Sequence, residues 1–328
     1  MTLSSSLDLS KVAIILPTWN AERFFDSAGR TMLAQGLRAD QVQVIDSGST
    51  DGTVTRARSF GFLVHEIAQS EFDHGGTRQL GVALVPWAEY VVFMTHDAVP
   101  QGERCVRDLL SAFSDEHVGA AYGRQLPRRE ATLIEAHARL FNYPAQSSMR
   151  DLDSRRVLGL KSIFLSNSFA AYRREALLSV GGFPRPSIFG EDMVITARLH
   201  LAGWKTAYVA EATVIHSHRY SPTEEFQRYF DIGVLHARES RLLADFGQAS
   251  GEGRRFVLSE LGYLFRNGSG HRVPGALVRT LIKYLGYQIG RREHLIPIYW
   301  KKQFTMNKAF WRRRSGEPDE GFKALPGL

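Results

Sequence analysis

Short apolar runs, each followed by a polar or glycine-rich turn, set the rhythm of the first half of the chain. Val12-Ala13-Ile14-Ile15-Leu16 is apolar throughout and stopped by Pro17, which predicts a buried strand, and Glu22 to Gln35 then reads as a helix. The same alternation recurs: strand at Val42 to Ile45, helix from Thr53 to Phe60, strand at Phe62 to His65, helix from Thr77 to Val85. A fourth run, Val91-Val92-Phe93-Met94, ends abruptly in Thr95-His96-Asp97. Repeated βα units of this kind predict an α/β fold with a mostly parallel, doubly wound sheet, whose ligands bind beyond the carboxyl ends of the strands.

Beyond a helix at Arg104 to Phe113 and a strand at Val118 to Tyr122, the stretch from Gly123 to Lys161 loses its period and reads as a loop-rich insertion. Ser168 to Arg173 reads as a further strand, and a helix runs from Glu191 to near Gly203. Ala207 to Val209 and Thr213 to Ile215 then read as the last two strands. From Pro222 onward only helical patterns remain. The chain is therefore divided into a sheet domain, residues 1–220, and a helical basic extension, residues 221–328.

Composition adds two constraints. Of 328 residues one is cysteine, Cys105, which excludes an internal disulfide and a zinc site built on several thiolates, so a reducing cytoplasm is the simplest compartment. Met1 to Ser10 lacks the basic start and apolar core of a signal peptide, and no apolar run reaches the roughly 18 residues of a membrane span. Second, the net charge of +7 is uneven: between Arg254 and Arg314 there are fourteen Lys and Arg against two acidic residues. That imbalance points to an anionic partner surface.

Candidate chemistry gathers at the predicted strand ends. Asp46, in Asp46-Ser47-Gly48-Ser49-Thr50-Asp51-Gly52, can accept hydrogen bonds from a ligand; helix capping alone accounts well for Ser49 or Asp51 and less well for Asp46. Gly75-Gly76-Thr77-Arg78 could form an anion-binding helix entry with Arg78 reaching a phosphate, or a helix start with a solvent-facing Arg. Asp97 can hold a hard divalent cation that also touches a diphosphate, whereas His96 alone reads as a polar loop residue. Glu191-Asp192 is the best acid/base candidate, although a helix dipole by itself favours two carboxylates there. His216 and His218 alternate on one side of a strand end and can bind metal or be ordinary surface histidines.

Taken in order, Pro17-Thr18-Trp19-Asn20, the Asp46 to Gly52 turn, Thr95-His96-Asp97, Gly181-Gly182-Phe183 and Gly190-Glu191-Asp192 resemble glycosyltransferase family 2, inverting enzymes of the GT-A fold. The likeness covers roughly the first two thirds of the chain. Phe72 to Gln79 and His216 to Ser221 look most like the bacterial rhamnosyltransferase branch, which builds cell-surface polysaccharide such as O-antigen. The resemblance implies that Pro17, Thr18 and Asn20 border the nucleotide, that Asp46 beside Ser47 contacts the base, and that Arg78 lies near base or diphosphate, with Thr95 and His96 at the same strand end. It further implies that Asp97 matches the last carboxylate of the family's Asp-x-Asp metal motif, with Thr95 in place of the first, and that His216 or His218 completes the site for Mg²⁺ or Mn²⁺. Asp192 matches the base that takes the acceptor's proton, with Glu191 as its neighbour. The expected donor is a nucleotide sugar, dTDP-L-rhamnose by branch resemblance, and the expected acceptor a lipid-linked glycan; another nucleotide sugar, or a noncatalytic GT-A-like binding protein, is the alternative.

The extension interleaves Leu277, Val278, Leu281, Ile282, Leu285 and Ile289 with Arg279 and Lys283, and sets Trp300, Phe304, Phe310 and Trp311 among basic residues, a mixture expected at a lipid interface. The reading is peripheral attachment to an anionic membrane at its cytoplasmic face, against an ordinary helical subdomain packed on the sheet. A nucleic-acid partner is not expected, because the aromatic residues fall in no nucleic-acid motif.

Overall fold

The computed structural model describes residues 8–247 and 251–314. Residues 1–7, 248–250 and 315–328, and with them part of the expected start and of the basic extension, lie outside the described residues. Nine strands form one sheet: β1 (Val12–Thr18), β2 (Val42–Asp46), β3 (Leu63–Glu66), β4 (Tyr90–Met94), β5 (Val99–Pro100), β6 (Val118–Leu126), β7 (Ser148–Arg150), β8 (Phe169–Arg173) and β9 (Lys205–Ile215). The helices are α1 (Glu22–Leu33), α2 (Thr53–Ser59), α3 (His74–Leu84), α4 (Cys105–Leu110), α5 (Leu133–Asn142), α6 (Arg155–Leu158), α7 (Arg174–Ser179) and α8 (Glu191–Leu201), then α9 (Pro222–Arg238), α10 (Ser240–Ala244), α11 (Glu252–Arg266), α12 (Val273–Arg291), α13 (Ile298–Phe304) and α14 (Lys308–Arg314).

The sheet order is β3-β2-β1-β4-β8-β6-β9-β5, with β7 also on β9. The four strands from β3 to β4 are mutually parallel, as the apolar runs predict. In β1 and β4 the continuous hydrophobicity has a simple cause, since both faces are covered, whereas β3 at the edge is partly exposed. Ile14, Leu16 and Val92 point into one core with Phe25, Met32, Val106 and Leu109, while Ala13, Ile15, Val91 and Phe93 point into the other with Val82, Leu177, Ile195 and Leu199.

Three details depart from the sequence expectation. β8 runs antiparallel between β4 and β6, so its amino end, not its carboxyl end, reaches the edge where the parallel strands finish. Ala207 to Val209 and Thr213 to Ile215 are one strand, β9, whose pairing with β6 shifts register between Gly123 and Arg124; that irregularity absorbs the extra residues. The stretch from Gly123 to Lys161 is less loop-like than its composition suggests, since it holds the end of β6, helix α5 and strand β7. A capping box starts α5, with the Thr132 hydroxyl accepting from the Glu135 N–H at 3.4 Å and the Glu135 carboxylate accepting from the Thr132 N–H at 2.9 Å.

The carboxyl-terminal helices pack on the sheet layers through a third core. Phe230, Val234 and Leu235 of α9 meet Val194 of α8, Ile188 of the preceding loop, and Phe310 and Trp311 of α14. The buried Asp231 ties α9 to the approach to α14, accepting from Thr305 Oγ1 at 2.6 Å and from the Met306 N–H at 3.0 Å, and burial pushes its carboxyl up to about 7. Phe310 and Trp311 are thus core residues, a correction to their expected place at a lipid surface. Arg238 and Lys301 lie over the Trp311 ring at 5.2 and 4.8 Å, so the cations satisfy a packed aromatic instead of a headgroup.

α9 and α12 approach until their backbones touch. A Cβ on Gly286 would collide with the Phe226 carbonyl and one on Gly290 with the Phe230 carbonyl, whereas a Cβ on Gly275 meets nothing. Gly290→Ala is therefore expected to lower the unfolding free energy by about 1–3 kcal/mol through overpacking. Gly275→Ala, in the same helix, is expected to raise it by between nothing and about 1 kcal/mol. Denaturant titration of the two variants checks the contrast, and equal effects would remove the contact from the account.

Candidate active site

The ends of β1 and β2 make the first rim. Buried Asp46 accepts from Thr18 Oγ1 at 3.0 Å and from Ser49 at its backbone N–H and hydroxyl, at 2.8 and 2.5 Å. Ser47 Oγ donates to the Thr18 carbonyl at 2.8 Å, and Pro17 pairs beside Ile45 in the parallel register. Asn20 adopts a left-handed conformation, φ +47°, in which its Oδ1 accepts from the Thr50 N–H at 2.9 Å and its own N–H donates to Ser49 Oγ at 2.8 Å. Thr18, Asn20, Asp46 and Ser47 are one hydrogen-bonded unit joined through Ser49, with Pro17 beside them in β1.

The turn after β4 makes the second part. Asp97 is buried, with Oδ1 3.3 Å from His216 Nε2 and Oδ2 3.7 Å from His218 Nδ1. The ligating atoms of these three residues lie within 4.8 Å of one another. Burial penalises the Asp97 charge, and the Arg128 guanidinium, 3.1 Å from Oδ2, is the fixed positive charge that counters that penalty. Desolvation lowers the pKa of both imidazoles, His218 to about 3. An anionic carboxylate flanked by two neutral imidazoles is a donor set for a divalent cation, and His216 Nε2 is buried with no hydrogen-bond donor directed at it among the described residues.

Arg128, in the stretch after β6, donates through Nη2 to Asp97 Oδ2 at 3.1 Å. Its guanidinium lies 5.5 Å from the Phe24 ring, and Phe24 packs 5.4 Å from the His96 ring, so α1 joins this cluster to the first rim. Burial lowers the His96 pKa. The Thr95 hydroxyl is buried without a partner among the described residues, and the Thr95 N–H donates to the Ser168 carbonyl at 3.2 Å.

That bond leads to the third part. Because β8 runs antiparallel, the segment before it lies against the strand ends, and the Asn167 N–H donates to Asp192 Oδ2 at 3.2 Å while its Nδ2 donates to Glu191 Oε1 at 3.0 Å. Gly190 introduces the pair: it takes φ +69°, and a Cβ there would overlap Leu235, so only glycine turns the chain into α8 at this point. Glu191 is buried 3.1 Å from Arg78 Nη1. Burial opposes its charge, but the Arg78 charge together with the neighbouring hydrogen bonds and charges outweighs burial, and its pKa falls below the usual value. Asp192 behaves oppositely: burial first, then the neighbouring Glu191 charge, push its carboxyl up to about 7. One carboxylate is a fixed anion and the other is poised as a base near neutrality.

Arg78 is buried beside this pair. Its guanidinium donates to the His74 carbonyl at 2.9 Å and pairs with Glu191, which sets it with the acid pair. The first turn of α3 is filled by the chain itself, since Asp73 accepts from the Gly76 N–H at 2.7 Å as an N-cap. Sequence patterning missed Arg128, Asn167 and Gln125, which lie in irregular segments or at strand ends without a motif; the Thr132 to Glu135 capping box was the one legible signal nearby.

Residues 13–181 match the family described as glycosyl transferase family 2. The chain belongs to glycosyltransferase family 2. It is 42% identical over 302 residues to the O-antigen chain rhamnosyltransferase RfbN of Salmonella typhimurium, covering 92% of this chain and 96% of that one. The likeness to the O-antigen chain rhamnosyltransferase WbaN of Salmonella anatum is 42% over 299 residues, covering 91% and 95%. Among solved structures, the fold is similar to the mannosyltransferase PcManGT from Pyrobaculum calidifontis, solved with GDP-Man and Mn²⁺, at a TM-score of 0.53, 19% identity and coverage of 93% and 86%. It is similar too to Staphylococcus aureus TarS 1-349 in complex with UDP-GlcNAc, at a TM-score of 0.51, 15% identity and coverage of 87% and 91%. The chain is thus a family 2 glycosyltransferase of GT-A-like fold with carboxyl-terminal helices.

If Asp192 is the base, kcat/KM is expected to rise with pH through about 7, as its carboxyl loses its proton. Glu191→Gln removes the adjacent negative charge and releases Arg78, and both changes favour ionised Asp192. The rising limb is therefore expected to move to lower pH, as read from pH–rate profiles of the two proteins. A limb that stays in place would uncouple the two carboxyls.

Proposed function

We propose that the protein transfers L-rhamnose from dTDP-L-rhamnose, with inversion, to a hydroxyl of a lipid-linked O-antigen precursor at the cytoplasmic face of a membrane. The observation that carries this reading is the 42% identity, along nearly the whole of both chains, to two proteins named O-antigen chain rhamnosyltransferases. The donor nucleotide follows from the branch resemblance of the Phe72 to Gln79 and His216 to Ser221 segments.

In-line displacement at the anomeric carbon needs a base on the acceptor side and neutralised charge on the side of the departing diphosphate. Asp192 takes the proton of the attacking hydroxyl, and Glu191, fixed by Arg78 and Asn167, keeps its carboxyl basic enough to do so. Thr18, Asn20, Asp46 and Ser47 form the nucleotide rim, with Pro17, Thr95 and His96 along the same edge. Asp97, His216 and His218 would hold Mg²⁺ or Mn²⁺, which when bound neutralises the diphosphate oxygens. Arg128, already paired with Asp97, adds positive charge on that side. Asp192→Asn is expected to lower kcat by about 10² to 10⁴ with dTDP-L-rhamnose while thermal unfolding stays close to that of the parent. Undiminished transfer would take Asp192 out of the mechanism, and turnover of another nucleotide sugar in preference to dTDP-L-rhamnose would reassign the donor.

The membrane component has its own support. Among the described residues no helix is long and apolar enough to cross a membrane. Instead, α12 exposes Val278 and Leu281 at 57% and 56%, Trp300 of α13 is 50% exposed, and Leu277, Tyr284, Leu285 and Leu295 are exposed as well. Arg279 and Lys283, read from sequence as part of the lipid-facing charge, pair with buried Glu225 at 3.0 and 3.3 Å. The cations offered to a headgroup are exposed Arg254, Arg266, Arg272, Arg291 and Arg292, and each contributes about 1 kcal/mol beside an anionic leaflet. In this reading residues 221–328 attach and residues 1–220 catalyse. Flotation with phosphatidylglycerol vesicles is expected to carry the full chain, and Leu281→Asp with Trp300→Asp to weaken partition at least about tenfold. Absence of flotation by the parent would end the attachment proposal without touching catalysis.

A further inference from the structure

The Asp97, His216 and His218 cluster is held from behind by two side chains that supply none of its donor atoms. Gln125, next to last in β6, is buried; its Oε1 lies 2.8 Å from His216 Nδ1 and accepts from Arg139 Nη1 of α5 at 2.8 Å, while its Nε2 donates to Ser166 Oγ at 3.0 Å. Arg139 decides which way the amide points. A guanidinium only donates, so the group facing it must be the oxygen; the reversed amide would set an NH₂ against the guanidinium. The same oxygen faces His216 Nδ1 and can only accept there. The ring proton of neutral His216 therefore resides on Nδ1, and the lone pair is on Nε2, the atom 3.3 Å from Asp97 Oδ1.

Two acceptors, a bare imidazole nitrogen and a carboxylate oxygen, are thus pressed together in a buried place where no described hydrogen-bond donor reaches the nitrogen. Such a pair is unfavourable until a cation lies beside it. We propose that Gln125 and Arg139 are positioning residues that lock His216 in the Nδ1–H tautomer, so that Nε2 is presented to a divalent cation next to Asp97 and His218. Outer hydrogen bonds of this kind orient a metal-binding imidazole and make it a better donor. The relay spans three elements: Arg139 from α5, Gln125 from β6 and His216 from the end of β9. The proposal rests on the cation site described under Proposed function.

Two measurements on the full chain test it. Nitrogen-15 NMR of histidine-labelled, metal-free protein reads the tautomer directly. A protonated Nδ1 and an unprotonated Nε2 on His216 are expected, with assignment by the His216→Gln variant. An unprotonated Nδ1, or two protonated nitrogens at neutral pH, overturns the lock. Mn²⁺ binding in the presence of dTDP, followed by electron paramagnetic resonance, reads the consequence without any turnover. Gln125→Met removes the acceptor and is expected to weaken Mn²⁺ binding about 10- to 100-fold. Gln125→Glu, which can still accept from both His216 and Arg139, is expected to bind Mn²⁺ close to the parent. Equal Mn²⁺ affinity in the parent and Gln125→Met overturns the proposal, as does equal loss in both variants with folding intact. If Gln125→Met fails to fold, the parent's tautomer still decides the lock. If the parent binds no Mn²⁺, the cation reading fails while the NMR result judges the tautomer separately.

Discussion

Burying two carboxylates at adjoining positions costs free energy unless a counter-charge is buried with them, and at the start of α8 that charge is Arg78, 3.1 Å from Glu191. Removing one partner of such a pair typically costs about 3–5 kcal/mol, so α3, which carries Arg78, and α8 are tied together by an interaction neither can lose. The position of α3 is set in turn by Asp73, which caps the helix, accepts from the Ser187 N–H at 2.9 Å and lies 3.5 Å from Arg313 Nη1 of α14. The loop before the acid pair, the helix that neutralises it and the carboxyl-terminal helices thus share one carboxylate. The helical region is part of how the acid pair is held, whatever else it touches.

Much of this arrangement was legible as pattern. Buried parallel strands make apolar runs, and the abrupt polar residues after them mark the edge where ligands bind, so Asp46 and Asp97 stood out, while Glu191-Asp192 stood out as adjacent carboxylates at a helix start. What pattern could not reveal was partnership. The pairing of Arg78 with Glu191 joins residues more than a hundred positions apart, and its helix-entry context suggested an anion instead. Asn167, Arg128 and Gln125 had no period or spacing to mark them; their importance comes from the antiparallel insertion of β8 and from the stretch after β6, both of which are tertiary facts. The sequence of basic and aromatic residues near the carboxyl end was ambiguous for a physical reason: a cation over an aromatic ring is equally at home in a packed core, as at Trp311, and at a headgroup layer.

The two halves of the site obey different electrostatic logic. Around Asp97 the surroundings keep a carboxylate ionised and imidazoles neutral, an arrangement for holding positive charge. Around Asp192 they raise a carboxyl toward neutrality, an arrangement for taking a proton. One chain segment reaches both: Ser166 bonds to Gln125, Ser168 accepts from Thr95, and Asn167 between them bonds to Glu191 and Asp192.

That segment enters β8, and the direction of β8 gives it unusual authority. In a strand every side chain changes face on a slip of one residue. A β8 paired one position out of step with β4 would turn Asn167 away and take a hydrogen bond from each acid. Correct strand pairing is thus a form of quality control over the acid pair, because a chain assembled out of register would lose the contacts that join its two carboxyls to the strand ends.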